Sequence, residues 1–111
     1  MTPEKIQKVV TLFTNEAQKI YGSCLQSVIL YGSCARGDYT ADSDIDILVL
    51  LDIPQNRISA ERKRILEITD QLDLEYDVVL APVLQSQQTF DRYLKVSGYY
   101  QNVRAEGVYY A

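Results

Sequence analysis

Histidine and tryptophan are both absent from the 111 residues. Without histidine the chain alone cannot build a Ser-His-Asp or Cys-His nucleophile system, a histidine-ligated zinc centre or an imidazole general base. Catalysis would have to run on carboxylates, hydroxyls, thiols, cations or a bound metal. Basic residues are in the minority, 11 against 15 acidic ones, and the pI is about 4.7. Contact with a polyanion needs clustered Lys and Arg, so strong nucleic-acid binding is not expected. The longest unbroken apolar run, Ile47 to Leu51, falls far below the roughly 20 residues that cross a bilayer. The start, Met1-Thr2-Pro3-Glu4, has no signal-peptide pattern, so a soluble cytoplasmic protein is expected, with no membrane partner. Only two cysteines occur, Cys24 and Cys34, and in that compartment both are expected to stay reduced.

What is present is ordinary globular material. At 47% hydrophobic and 23% charged residues, the composition fits a single domain over 1–111 with a real core. Thr2, Pro3 and Glu4 form a helix start, and Ile6, Val9, Val10, Phe13, Ala17 and Ile20 carry one apolar face to a stop at Gly22. Ser27 to Tyr31 reads as a buried strand stopped by Gly32-Ser33, and residues 32–43 as a turn, a short helix and a loop. Asp44 to Leu51 is the second strand. Ser59 is placed as the cap of a helix with Ile65, Ile68 and Leu72 inward, and Tyr76 to Leu80 as a third strand closed by Pro82. Ser86 caps a helix with Phe90, Tyr93 and Leu94 inward; Tyr99 to Glu106 forms a last helix, and Val108 to Tyr110 an edge strand. The expected fold is α/β (α+β), a small mixed sheet of three to four strands with helices packed on it.

The sharpest chemical cluster is Asp42-Ser43-Asp44-Ile45-Asp46 at the mouth of the second strand. Strand side chains alternate, so Asp44 and Asp46 project from one side about 6 to 7 Å apart while Ile45 and Ile47 enter the core. Two such carboxylates repel unless a hard cation neutralises them, and Mg²⁺ prefers oxygen ligands while keeping positions open for substrate phosphates. Asp77, read at the opening of the third strand, would complete a three-carboxylate, two-metal site of the kind that drives in-line phosphoryl transfer, and could take the proton of the incoming hydroxyl. Glu75 shares its strand parity and is the reserve. Gly32-Ser33 supplies a tight turn, a hydroxyl and a close approach for phosphate, with Arg36 adding positive charge. An EF-hand is excluded by Ile47 and Ile53 where Gly and Glu belong, and neither a P-loop nor a Gly-x-Gly-x-x-Gly fingerprint exists. A phosphoacceptor receiver domain is disfavoured because Gly-Ser, not an acidic pair, follows the first strand.

Leu30-Tyr31-Gly32-Ser33-Cys34-Ala35-Arg36-Gly37, followed by Asp42-Ser43-Asp44-Ile45-Asp46-Ile47-Leu48-Val49, resembles the minimal nucleotidyltransferases of the DNA polymerase β superfamily. Their signature is Gly-Ser, ten residues, then Asp-x-Asp. Asp77 and Arg104-Ala105-Glu106-Gly107-Val108 extend the resemblance over nearly the whole chain. The resemblance implies that Gly32 and Ser33 bind nucleotide phosphates and that Asp44, Asp46 and Asp77 hold Mg²⁺. Cys34 departs from the arginine of many members, which leaves Arg36 as the phosphate contact. The resemblance further implies an antitoxin encoded beside a HEPN-domain ribonuclease toxin, which transfers AMP from ATP to a toxin tyrosine and also binds that toxin. A small chain without an acceptor domain suits a protein acceptor. The alternatives are an antitoxin that neutralises by binding alone, or a transferase for a small molecule such as an aminoglycoside. Four tyrosines, Tyr99, Tyr100, Tyr109 and Tyr110, crowd the end and fit either packing or contact with a partner or nucleobase.

Overall fold

A computed structural model describes residues 1–111. Helix α1 is Pro3–Tyr21, its first turn closed by the Thr2 hydroxyl accepting from the Lys5 N–H at 3.1 Å. Strand β1 is Leu25–Tyr31, α2 is the single turn Ser33–Arg36, and β2 is Ile45–Leu51. Helix α3 is Ile58–Tyr76, β3 is Leu80–Ser86, α4 is Gln87–Tyr93, α5 is Gly98–Glu106 and β4 is Val108–Tyr109. The sheet order is β3-β2-β1-β4; β2 runs antiparallel to β1 and parallel to β3, and β4 pairs antiparallel with β1. The mixed four-stranded sheet with packed helices matches the expected class.

Continuous apolar sequence in β2 corresponds to a strand covered on both faces. Ile45, Ile47, Val49 and Leu51 join Phe13 and Val9 of α1 and Ile65 of α3 in the larger core. Leu48 and Leu50 face the other way, onto Ile29, Phe90 of α4, and Tyr100 and Val103 of α5. By the alternation of strand side chains, Asp46 belongs to this second face, at the N-terminal end of β2. Asp46 is the one residue of β2 that is not fully buried.

The third strand lies further along the chain than Tyr76–Leu80. Ile65, Thr69 and Leu72 keep helical spacing on the core side, and α3 continues through Tyr76 until Asp77 adopts a left-handed conformation (φ 54°, ψ 54°). The strand contains Pro82, the residue expected to close it. β3 is the sheet edge and pairs only with β2, where a missing N–H can face outward without loss. Ser59 lies inside α3 and does not cap it, while Ser97 caps α5 by accepting from the Tyr100 N–H at 3.1 Å. Tyr93, expected inward, is 47% exposed.

Gly107 sets the return of the chain. A Cβ there would collide with Ile29 Cγ2 and the Val103 carbonyl oxygen. Gly107→Ala is therefore expected to lower unfolding free energy by about 2 kcal/mol, the cost of forcing a methyl group into a packed site, read from urea denaturation.

Candidate active site

Three strand ends build the site: the C-terminal end of β1 and the N-terminal ends of β2 and β3. Across the β1–β2 pairing Tyr31 stands opposite Asp46, so the chain leaves β1 beside the carboxylate and turns at once. Gly32 makes that turn with φ 73°, a backbone region that L side chains rarely occupy. A Cβ at position 32 would run into Asp46 Oδ2 and stand 3.3 Å from its Cγ. The Asp46 carboxylate thus rests against bare Gly32 backbone, which joins the two halves of the sequence motif in space. The Gly32 carbonyl accepts from the N–H groups of Ala35 and Arg36, both at 3.1 Å, and Gly37 ends the turn in the left-handed region.

The connection to β2 is tied by Thr40 and Ser43: the Thr40 N–H donates to Ser43 Oγ at 2.9 Å, and the Ser43 N–H to the Thr40 carbonyl at 3.2 Å. Asp44 is then fixed on both sides. Its carbonyl accepts from the Cys34 thiol at 3.5 Å, and the next N–H, of Ile45, donates to the Val79 carbonyl at 2.8 Å. Cys34 is buried, and Cys24 and Cys34 are both free thiols. Burial and the neighbouring Asp46 charge push the Cys34 thiol up, keeping it a neutral donor. The residue that departs from the family pattern therefore holds the backbone of the first carboxylate.

Asp44 and Asp46 flank the fully buried Ile45, and neither takes part in any of the four ion pairs. Burial raises the Asp46 carboxyl above the usual range; the Asp44 charge adds to the rise and Arg36 opposes it. Such a pair is an oxygen donor set with uncompensated like charge, which suits a hard divalent cation. Without a cation the pair costs stability. A raised folded-state pKa favours the fold in acid and loses that contribution as pH rises through it. Asp46→Asn is accordingly expected to stabilise the metal-free protein at neutral pH by roughly 0.5–2 kcal/mol, and to flatten the stability gain that wild type shows on acidification above the ordinary Asp range. Thermal melting across pH without divalent ions measures both.

Asp77 does not stand beside the other two. It ends α3, exposed, in a cavity shared with Met1, Lys5, Asp42 and Ser43, while the β3 residue in register with Asp46 is Ala81. No group of three or more Asp, Glu or Cys side chains is close enough to share one cation. The expected three-carboxylate cluster is thus a two-carboxylate one here, because the helix outruns the predicted strand start. Glu75 lies on α3 in a groove with Leu12 and Glu16 of α1, apart from the site. Arg36 is committed to ion pairs with Asp38 (3.3 Å) and Glu106 (3.2 Å), half exposed. It ties α2 to the end of α5, and its charge reaches Asp46. Glu106 and Gly107, the C-terminal part of the motif, therefore have structural partners in Arg36 and Ile29.

Two contributors escape a sequence reading. Asp73 of α3 accepts from the Leu80 N–H at 2.9 Å and so fixes the start of β3; burial, then the charges of Asp70 and Asp44, raise its carboxyl against the lowering effect of that bond. Tyr31 and Tyr99, far apart in sequence, meet beside Asp46. The Tyr99 hydroxyl donates to that of Tyr31 at 2.7 Å.

Comparison with known proteins identifies the family. Residues 11–100 match the nucleotidyltransferase domain family. "Putative protein adenylyltransferase MJ0604" of Methanocaldococcus jannaschii is 33% identical over 101 residues, which cover 91% of this chain and 93% of that protein. A second such protein of the same organism, MJ0141, is 33% identical over 81 residues, 72% of this chain and 79% of its own. Among solved structures, a toxin–antitoxin with AMP-PNP aligns with all of this chain and 73% of its own at TM-score 0.53 and 21% identity. The toxin–antitoxin MntA-HpeT, in a mutant form, aligns with the same coverage at TM-score 0.52 and 19% identity. The two solved structures share the fold of this chain. With residues 11–100 matched by that family's model and relatives 33% identical over most of the chain, the chain belongs to the nucleotidyltransferase domain family.

Proposed function

We propose that this nucleotidyltransferase is an Mg²⁺-dependent protein adenylyltransferase that transfers AMP from ATP to a tyrosine of a cognate HEPN toxin, and so acts as its antitoxin. The contact of Gly32 with Asp46 carries the reading, since it brings a phosphate-binding turn and a cation-binding carboxylate together. Asp44 and Asp46 would hold Mg²⁺. When bound, the ion neutralises phosphate charge and orients the α-phosphate for in-line attack. Around it, Gly32 admits a phosphate close to the backbone, and the Ser33 hydroxyl and N–H donate to it. Cys34 and the Val79 carbonyl hold Asp44 in place, and Asp73 holds the β3 start beside it. Asp77 borders the cavity next to Asp42 and Ser43, a place from which it can add negative charge on that side of the site but not a ligand to a cation shared with Asp44 and Asp46. Arg36 contributes charge at a distance through its effect on Asp46 rather than a freely swinging guanidinium.

The names of the similar proteins support protein adenylylation, and the toxin–antitoxin neighbours share the fold. The test uses ATP labelled at the α- or the γ-phosphorus, with Mg²⁺ and the protein encoded by the adjacent gene. The reading expects α-label on the acceptor and γ-label released as pyrophosphate. Transfer of γ-label, or α-label on an added aminoglycoside but on no protein, would sink it.

A further inference from the structure

An aromatic ladder runs from the smaller core up to the site. Phe90 of α4 packs on buried Tyr100 with centroids 4.9 Å apart, Tyr100 on Tyr99 at 5.5 Å, and Tyr99 edge-on against Tyr31 at 5.6 Å and 82°. The last two rings flank the chemistry. Tyr31 immediately precedes Gly32 and is opposite Asp46 in the strand pairing, while Tyr99, the second residue of α5, is held by its hydroxyl bond to Tyr31 and still 42% exposed. None of these groups has a part in handling phosphate or cation.

We infer that Tyr31 and Tyr99 form the seat for the nucleobase of the donor nucleotide. The inference rests on the adenylyltransferase reading and adds to it the element that recognises the base. A ring fixed by packing on one side and open on the other stacks on a base with little ordering cost, and stacking of this kind contributes substantially to single-base binding. The hydroxyl pair adds direction. Because Tyr99 donates to Tyr31, the proton of Tyr31 remains available for a ring nitrogen that carries no proton, such as those of a purine. Proximity favours the same occupant: a base linked through ribose to a phosphate at Gly32-Ser33 must lie near the end of β1, where this pair stands.

Tyrosine emission is shared among nine residues, so binding is read by isothermal titration calorimetry, which does not depend on the residues replaced. Titrations of wild type, Tyr99→Leu, Tyr99→Phe and Tyr31→Phe with ATP and with inorganic tripolyphosphate, both with Mg²⁺, separate base from phosphate binding. Tyr99→Leu should weaken ATP about tenfold or more and leave tripolyphosphate unchanged, whereas Tyr99→Phe keeps ATP within about threefold of wild type. Tyr31→Phe, which keeps the ring, should lose a few-fold for ATP only. Thermal melting checks that each variant is folded. Unchanged ATP affinity in Tyr99→Leu, or equal loss for ATP and tripolyphosphate in a folded variant, overturns the seat while leaving the transfer assay to stand or fall independently. Failure of wild type to bind ATP overturns the seat and, with absent transfer, the reading beneath it.

Discussion

Asp46→Ala is expected to lower the rate of nucleotide transfer by about 10³-fold or more and yet leave a protein at least as stable as wild type. The carboxylate gives the fold no ion pair, is half-buried, and suffers from both burial and the charge of Asp44. Such a stability cost is what a carboxylate serving the proposed transfer would carry. Loss of one preorganised electrostatic element in phosphoryl transfer is large on the rate scale, since each 1.36 kcal/mol is tenfold. Steady-state transfer rates together with melting temperatures of the same preparation check both halves. A stable, fully active Asp46→Ala would remove Asp46 from the chemistry.

Gly32→Ala should be the most damaging glycine change. Two effects combine there: a positive φ, costing on the order of 1–2 kcal/mol for an L side chain, and a methyl group placed where Asp46 Oδ2 lies. The second decides function, because a displacement of about 1 Å at the reacting centre can cost about 10²-fold in rate. Gly37 supplies the control. It has φ 89° but nothing within 4 Å of a built Cβ, so Gly37→Ala should lose about 1 kcal/mol of stability and keep its transfer rate. Equal activity loss in both variants would show that backbone strain, not the contact with Asp46, governs position 32.

Much of this site is legible in the sequence for a physical reason. Gly32, Ser33, Asp44 and Asp46 lie within fifteen consecutive residues, on two neighbouring strands whose alternation fixes where the side chains emerge. Helix α1 is readable from one unbroken helical period, and strands β1 and β2 from short apolar runs bounded by turn residues. Legibility ends where two periods compete. Glu75-Tyr76-Asp77-Val78-Val79 has strand composition, but the helical spacing of Ile65, Thr69 and Leu72 carries α3 through Tyr76, which moves Asp77 onto a helix end and the strand onto Leu80–Ser86. The proline that argues against a strand is tolerated because β3 is an edge, a fact of sheet order that no local window contains. Contacts between distant residues are hidden for the same reason. Arg36 with Glu106 and Tyr31 with Tyr99 span separations of 70 and 68 residues. The clustered C-terminal tyrosines divide accordingly: Tyr100 is buried in the core, while Tyr99 faces the site.

Co-expression with the adjacent-gene protein, followed by intact-mass and peptide mass spectrometry of that protein, tests the central claim most directly. The account predicts AMP on a tyrosine hydroxyl of the partner when the wild-type chain is present, an unmodified partner with the Asp44→Ala and Asp46→Ala double variant, and toxicity restored in that second case. An unmodified partner that is nevertheless neutralised equally by both forms would contradict it, and would make the chain an antitoxin that works by binding alone.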